Sequence, residues 1–396
     1  MVQSRKTWRL FAVLTISVVD GVGDALAADT DTVVASQSAA TSIIDEDPLP
    51  SVRAQGMGGA LTTVADNYDA AMHNPAGIGG MGPVKDNAPW IRKLYFPLVS
   101  AGANANARSL VGELQSNGAT SDSVIGKAAV NSRANERQYA RMTAATGFVF
   151  RRLMLLPFYD SQIAAVPRGD TDTILDTHYR SMTGLGYGFS GQDSKGRFSI
   201  GYFGYIAARK EVVGPLSYNQ LIDMGQRNAA IRSYSNDYTG RSDNIGMIWR
   251  MSPSWAPTLG ITSKNVGDAV FHSRTGQANL VIKQQSAVAL SASPRLSHDA
   301  TANFVVKVDQ LENKSLAPNE KYQIGAELLV GGIGSYATLA LRGGLTHMGV
   351  SGGLSLNLGL ISFDVSSYPV DLAPTSGARE LERRFGATAY VNVAEF

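Results

Sequence analysis

Apolar and polar residues alternate along most of the chain after residue 95. Between Tyr322 and Val330 every second residue is apolar, and Gln323, Gly325 and Glu327 occupy three of the four positions between them. Side chains of a β-strand point alternately to its two faces, so this period of two predicts a strand with one apolar face. Soluble sandwiches and membrane barrels both alternate in this way, and alternation alone does not choose between them.

The alternating stretches, bounded by turn residues, divide the chain after residue 92 into about fourteen predicted strands. They lie at 93–104, 143–150, 153–166, 178–190, 197–209, 244–251, 255–265, 285–293, 300–311, 320–330, 334–345, 348–357, 359–369 and 381–395. The fold class is therefore all-β, and we expect an antiparallel sheet because many of the links are too short for a parallel crossover.

The lengths of the links favour a membrane barrel over a sandwich. For most of the chain long and short links take turns, as with 105–142, which is long, and 151–152, which is short. Outer-membrane barrels have short periplasmic turns and longer external loops, whereas a sandwich has no reason to sort its loops by parity. The link 346–347 is short where the rule expects a long one. The long link 105–142 has helical character, and we expect a cap or a lid over the barrel mouth.

The N-terminus predicts export. Three basic residues, the last of them Arg9, precede the apolar run 10–19, and a small-residue cleavage site follows. Ten apolar residues are too few for a membrane-spanning helix, which needs roughly 20. We therefore predict a signal peptide over 1–27, an N-terminal extension with a plugging segment over 28–92, and a β-barrel over 93–396.

Composition narrows the class further. The chain has no cysteine, so no disulfide framework holds it, and 17% charged residues is low for a soluble protein. The net charge is +2 with both signs scattered, and no basic block argues for a nucleic-acid partner. With the export signal, these features predict a barrel in the bacterial outer membrane.

The stretch Val52–Gly80 differs from the rest because it is rich in glycine and alanine and nearly free of bulky apolar residues. We interpret it as a compact hatch inside the barrel. In Asn74-Pro75-Ala76-Gly77, the asparagine bonds its own chain and the proline fixes φ, which makes a rigid turn. The glycines of Gly56-Met57-Gly58-Gly59-Ala60 let the backbone approach the wall closely. The alternative is an ordinary helix-breaking turn in a periplasmic segment.

Proline in the third predicted strand has two interpretations. Pro157 cannot donate to a ladder, and a closed barrel has no edge strand where this would not matter. Either Pro157 kinks the strand and opens a side window in the wall, or the strand simply starts at Phe158. For Pro97, in the first predicted strand, we expect a strand-start position.

Several of these motifs resemble those of the FadL-type outer-membrane transporters and of the related PorV-like and TraF-like barrels. The resemblance rests on the Val52–Gly80 stretch, on the run from Leu259 to Gly267, and on Gly325-Ala326-Glu327-Leu328 with Leu341-Arg342-Gly343-Gly344. It implies a barrel of 14 strands, a hatch that plugs the lumen, and a kinked third strand that gives hydrophobic substrates lateral exit into the membrane.

Two functions follow from this resemblance. The first is passive uptake of a hydrophobic small molecule, a fatty acid or a hydrocarbon, with hatch movement at Asn74 and lateral exit at Pro157. The second is a structural barrel that serves a secretion or conjugation system and binds a periplasmic partner. The expected contacts also include outer-membrane lipid and lipopolysaccharide. Polar side chains are predicted to face the lumen, which does not favour a channel for hydrophobic molecules. They are Asn303, Lys307, Asp309, Gln323, Glu327, Ser355 and Asn357.

We expect no enzyme, cofactor or metal. The pattern G-x-S-x-G occurs around Ser351, but a nucleophile elbow needs a helix after the serine, and an alternating strand follows instead. The five histidines do not fall at metal-ligand spacing, and no cysteine assists them.

Overall fold

The computed structural model describes residues 46–78, 91–116, 120–131, 137–150, 152–168, 174–251, 255–333, 337–372 and 381–394. The predicted signal peptide, residues 1–27, lies outside these described residues.

The described chain is dominated by antiparallel strands. In chain order they are β1 (Ile91–Asn104), β2 (Gln138–Phe150), β3 (Leu153–Arg168), β4 (Ile174–Gln192), β5 (Phe198–Ser217), β6 (Ser235–Arg250), β7 (Thr258–Lys264), β8 (Ala269–Ser273), β9 (Leu280–Ile282), β10 (Gln285–Ala292), β11 (Ala300–Val308), β12 (Tyr322–Ile333), β13 (Ala337–Thr346), β14 (Gly349–Asn357), β15 (Ile361–Asp371) and β16 (Leu381–Ala394). Each of the fourteen predicted strands overlaps one of them. β8 and β9 lie in the link 266–284 and were not predicted.

Fourteen of these strands close into a barrel. Each pairs antiparallel with its neighbours, β7 pairs with β10, and β1 closes the circle by pairing with β16. The ladder is continuous on the other side as well, where β5 pairs with β6 from Phe198↔Trp249 to Val212↔Ser235. β8 and β9 form a hairpin that adds to the long-loop end of β6. Closure leaves none of the fourteen barrel strands as a sheet edge, as a lipid environment requires.

The barrel has a long-loop end and a short-turn end. The long-loop end carries four helices outside the strands: α3 (Arg108–Leu114), α4 (Ser121–Asn131), α5 (Tyr218–Ile222) and α6 (Met224–Tyr234). Two short helices, α1 (Val52–Gly56) and α2 (Ala70–His73), come before β1. Among the described helices, none combines the length and the hydropathy that a membrane crossing demands.

The outer face of the barrel is apolar. On β11 the side chains of Phe304 and Val306 are 54% and 48% exposed, whereas Val305 between them is 1% exposed. The same alternation continues around β12 to β16, where the outward side chains include Tyr322, Ile324, Leu341, Leu345, Leu354, Phe363, Val365 and Phe385. A band of exposed apolar side chains on a closed barrel is the surface that lipid covers. This barrel indicates a bacterial outer-membrane location.

The helices of the long loops pack on the outside of the barrel. Leu110 of α3 and Ile125 of α4 share a buried cluster with Ala140, Ile163 and Val212 of β2, β3 and β5. By strand alternation these three positions face away from the lumen-facing residues of the same strands. The expectation that α3 and α4 cap the barrel mouth is therefore wrong. These helices cover the apolar outer face of the long strands instead.

Both prolines lie within strands. Pro97 is the seventh residue of β1, so the expected strand-start position is wrong. The β1 ladders slip by one residue between Tyr95 and Leu98, on both the β2 and the β16 side. β3 starts at Leu153, so the alternative start at Phe158 is also wrong.

Candidate functional site

Residues 46–78, which we call the inner segment, lie inside the barrel and contact both sides of its wall. α1 packs against β13 to β16, and the turn at 75–77 packs against β4, β5 and β6. Most of the segment is buried, including Met57 and Leu61, which are both 0% exposed. The segment gains its structure from the wall, because helices of four or five residues are not stable alone. Its role as a hatch stays a prediction.

The Asn74-Pro75-Ala76-Gly77 turn is held by its own asparagine and by the wall. The Asn74 side-chain oxygen accepts from the Ala76 amide at 3.1 Å, which caps a single 3₁₀ turn. Its side-chain nitrogen donates to the Thr62 carbonyl at 2.9 Å and to the Met247 carbonyl of β6 at 3.1 Å. Asn74 is 0% exposed. The Ser199 hydroxyl of β5 donates to the Ala76 carbonyl at 2.6 Å, so two strands fix this turn.

The predicted glycines meet the opposite wall. A β-carbon on Gly56 would lie 3.2 Å from the Gly353 α-carbon, and one on Gly59 would lie 2.5 Å from the Gln323 amide oxygen. Gly58 and Gly59 also have φ of +63° and +83°, where other residues are strained. Gly77 differs, because a β-carbon there would strike the Ala65 carbonyl within the segment itself.

The wall also contributes glycines to this contact, and the sequence analysis did not identify them as site residues. A β-carbon on Gly201 would lie 2.2 Å from the Pro75 carbonyl carbon, and one on Gly246 would lie 1.9 Å from the Asn74 side-chain oxygen. Other lumen-facing glycines against the inner segment are Gly188, Gly260, Gly325, Gly344, Gly353 and Gly386. Because these strand positions lack side chains, the segment packs directly on the wall backbone.

An ion-pair cluster joins the inner segment to β12 and β13. Arg53 donates to both carboxylate oxygens of Glu327, at 2.9 and 2.7 Å, and to Asp66 at 2.7 Å. Arg342 donates to Glu327 at 2.8 Å and to Asp364 at 2.9 Å. Glu327 is 1% exposed, so its charge is stable only while both guanidinium groups remain in place.

A second charged cluster lies nearer the long-loop end, on the β2 to β5 side. Asp160 accepts from Arg141 at 2.7 Å and from Arg180 at 2.9 Å, and all three side chains are buried. Glu46 of the inner segment pairs with Arg180 at 3.2 Å and with Arg209 at 2.7 Å. The start of the segment is therefore tied to the wall by charge.

Among the titratable groups of the inner segment, Asp69 and His73 have pKa values that are displaced toward the neutral form. Burial of the Asp69 side chain raises the pKa of its carboxyl group to about 6. Burial, helped by the positive charge of Lys264, lowers the pKa of His73 to about 3. Lys264 itself binds Asp47 of the segment at 2.6 Å. His73 is therefore neutral at pH 7, and its protonation opposes the packed arrangement.

The lumen wall is apolar on one side, in the short-turn half of β1 to β5. Leu98, Val149, Leu156, Phe158 and Phe203 belong to one buried cluster that also contains parts of the inner segment. The segment contributes Met57, Tyr68, Met72 and Ile78 to it. Tyr68 packs edge-on against Tyr95 of β1 and Tyr390 of β16, with ring centroids 5.9 and 5.5 Å apart.

Strand pairing is interrupted in this same part of the wall. The β2–β3 ladder has the pairs Ala145↔Phe158 and Phe148↔Leu155 and none between them, although its register is unchanged. On its other side Pro157 stays paired with Leu185 of β4. The missing proline N–H explains the one-sided interruption. At the same height β1 is bulged at Pro97, so the irregularity crosses three strands.

The other predicted residues fall in place as follows. Asn303, Lys307 and Glu327 are buried and face the lumen, and Ser355 bonds Asp364 on the inner face. The hydroxyl of Ser351, rejected as a nucleophile, donates to the Gly56 carbonyl at 3.3 Å. In the described part of the chain no three acidic, histidine or cysteine side chains gather as metal ligands would.

No family model and no curated protein matches the chain. Solved structures do match. The TodX deltaS2S3 mutant, a monoaromatic hydrocarbon channel, aligns with a TM-score of 0.52 at 10% identity, over 87% of this chain and 98% of the channel. The toluene transporter TbuX of Ralstonia pickettii aligns over the same shares at 10% identity, but its TM-score of 0.47 is too low to support an argument.

The match to TodX establishes a shared fold, and the low identity establishes nothing finer. The closed antiparallel barrel of 14 strands agrees with it. The chain has the fold of the FadL-type outer-membrane transporters, the family that its sequence motifs resemble.

Proposed function

We propose that this protein is an outer-membrane channel for the passive uptake of hydrophobic small molecules, fatty acids or hydrocarbons. The observation that carries the proposal is the coincidence of two features in one part of the wall. The apolar lumen surface of β1 to β5 lies directly behind the interrupted pairing at Pro157. An apolar solute that reaches this surface has the membrane, its most favourable solvent, on the other side of a weakened ladder.

The charged clusters define where such a solute does not travel. The Arg53–Glu327–Arg342 cluster lies on the β12 and β13 side, whereas the buried apolar cluster lies in the short-turn half of β1 to β5. A hydrophobic molecule gains nothing from ion pairs and would cost them their hydrogen bonds. The polar lumen residues therefore restrict the proposed path to one side rather than excluding it.

In this proposal the inner segment acts as the hatch. Met72 and Ile78 flank the Asn74-Pro75 turn and line the apolar surface, so the segment fills the space that a ligand would need. Uptake requires a shift of these residues. The bonds from Asn74 to Met247 and from Ser199 to Ala76 are the ones that such a shift would break on the β5 and β6 side.

The name of TodX, a monoaromatic hydrocarbon channel, supports compact apolar solutes among the candidates. Tyr68 of the inner segment, with Tyr95 and Tyr390 of the wall, offers edge and face contacts suited to an aromatic ring. We propose that the exposed outer belt contacts membrane lipid and that the long-loop end contacts lipopolysaccharide.

Replacing Pro157 with alanine tests the exit. The new N–H lets β3 complete its ladder with β2, so we expect slower uptake of toluene and oleate by cells that depend on this channel. Pro369→Ala in β15 is the matched control, because Pro369 is also paired on one side only, with β16, but lies near the long-loop end of its strand, away from the apolar lumen surface. Uptake of every hydrophobic compound at the wild-type rate in the Pro157 variant would remove lateral exit from the proposal.

A structural or assembly barrel remains the second candidate, and one observation favours it. Ion pairs hold the first part of the inner segment to the wall at two points, Glu46 and Arg53, as a permanently closed scaffold would require. A scaffold binds a periplasmic or secretion-system partner instead of a ligand. Recovery of a stoichiometric partner after cross-linking in cells, together with no uptake of any compound, would favour this candidate.

A further inference from the structure

We propose that the short-turn end of the barrel holds a binding site for a small organic anion, recognised by two arginines through its carboxylate or phosphate group. The site is a cavity of about 590 Å³ between the inner segment and the wall. This volume lies within the range of small-molecule pockets, roughly 300–1,000 Å³. The proposal goes beyond uptake and holds whether or not the barrel transports.

The position of the cavity follows from its lining. The inner segment contributes Thr63, Ala65 and Asp66, and the wall contributes residues near the short turns that follow β6 and β10. Among them are Arg250, the last residue of β6, and Arg295, in the turn between β10 and β11. By the loop-length rule of outer-membrane barrels, this end faces the periplasm.

The charges that line the cavity do not balance. Arg53 also lines it, but Glu327 and Asp66 already accept from that guanidinium. Within the described ranges, neither Arg250 nor Arg295 forms an ion pair. Asp66, the single carboxylate of the lining, is bound to Arg53, so two positive charges at the cavity remain without a counter-charge.

Arg250 also has an unfulfilled donor. Its Nε atom is buried and, among the described residues, has no hydrogen-bond partner. A buried N–H without an acceptor costs free energy, so Arg250 gains from a rearrangement that turns its guanidinium toward an oxyanion in the cavity. The planar guanidinium matches a carboxylate or phosphate with two parallel hydrogen bonds.

The other residues that line the cavity favour an organic anion over an inorganic one. Hydroxyl groups of Ser293 and Thr301 can donate to further oxygen atoms of a head group, whereas the Thr258 hydroxyl already donates to the Ala256 carbonyl at 2.8 Å. Val64, Ala256 and Leu329 give the same cavity an apolar part. A short carboxylate with an apolar tail, such as benzoate or octanoate, meets both requirements.

Calorimetric titration of the full-length protein in an uncharged detergent tests the site, with benzoate and octanoate as probes. We expect saturable binding that Arg250→Gln and Arg295→Gln each weaken at least tenfold. Arg250→Lys keeps the charge but not the planar donor pair, so we expect it to retain part of the affinity. Arg232→Gln on α6, which removes an equal charge far from the cavity, is the control and should bind as the wild type does.

Two competition experiments identify the chemical group that the site recognises. Benzyl alcohol and octanol lack the charge and should not compete, whereas inorganic phosphate should compete if the site reads any oxyanion. Competition by phosphate assigns the site to oxyanions in general, and its absence assigns it to carboxylates. The proposal is overturned if the alcohols displace the acids as well as the acids displace each other, or if both glutamine variants, shown to be folded by heat-dependent gel mobility, bind like the wild type.

Discussion

Gly201→Ala gives a direct test of how the wall holds the inner segment. Gly201 faces the lumen from β5, and a β-carbon there would lie 2.2 Å from both the carbonyl carbon and the carbonyl oxygen of Pro75. It would also lie 2.4 Å from the Ala76 nitrogen. These atoms belong to backbone on both sides and cannot rotate away. The turn must therefore withdraw from the wall by about 1 Å or more to reach ordinary contact distance.

The free-energy cost of this withdrawal follows from the contacts that are lost. It breaks the bond from Ser199 to the Ala76 carbonyl and the bond from Asn74 to the Met247 carbonyl, each worth about 1 kcal/mol. Overpacking adds about 1–3 kcal/mol. The local free energy that keeps the turn on the wall should therefore fall by about 3–5 kcal/mol, which corresponds to a loss of roughly two or more orders of magnitude in hydrogen-exchange protection.

Hydrogen–deuterium exchange of the peptide around 70–78, followed by mass spectrometry in detergent, measures this loss. Gly102→Ala in β1 is the matched control, because its β-carbon would lie 3.6 Å from the Phe385 carbonyl oxygen, which is an ordinary contact distance. If Gly201→Ala and Gly102→Ala exchange at the same rate, the wall yields instead of the turn. The reasoning that glycine-to-backbone packing positions the segment would then be refuted.

Two further predictions concern the charges of the inner segment. Glu327→Gln leaves Arg53 and Arg342 without their shared counter-charge, so we expect α1 to lose about 3–5 kcal/mol of local stability, seen as faster exchange of peptides covering 52–57. The lowered pKa of His73, about 3, adds stability that is present above pH 6.5 and is lost as the pH falls toward 3, so we expect easier opening of the segment at pH 4 than at pH 7. The raised pKa of Asp69, about 6, acts in the opposite direction, and the larger displacement of His73 decides the sign.

Each of these has its own control. Glu113→Gln removes an equal charge from α3, outside the lumen, and should leave exchange at 52–57 unchanged. Equal exchange in both glutamine variants would contradict the role of Glu327. For the pH prediction, His73→Gln should show less extra opening at pH 4 than the wild type once intrinsic exchange rates are corrected. The remaining acid response comes from Glu46 and Asp47, because Arg209 and Lys264 lower the pKa values of these carboxyl groups despite their burial. An acid response of wild-type size in this variant would assign the effect to other groups.

The sequence alone determined the barrel wall. The period of two in stretches such as 322–330 is a local property, because each side chain alternates between lipid and lumen whatever its neighbours are. The clearly alternating strands β11 and β12 were therefore predicted within three residues at each end, whereas β5 ends eight residues later and β6 begins nine residues earlier than predicted. The hairpin of β8 and β9 was missed because three- and five-residue strands are too short to show a period.

The positions of the prolines show the limit of local reasoning. That Pro157 disturbs a ladder follows from its missing N–H, but which neighbour loses pairing depends on the direction of that missing donor. That Pro97 lies at the same height depends on the register between β1 and β2, which no single strand encodes.

Only the tertiary structure decided what occupies the lumen and how it is held. The sequence indicated a glycine-rich segment with a rigid Asn74-Pro75 turn, yet the partners of that segment lie far away in the chain. Arg53 and Glu327 are separated by 274 positions, and Gly201 is a lumen glycine only because β5 curves around the turn. Closure of the barrel brings such residues together, since the contacts across a lumen depend on the number and register of all the strands between them.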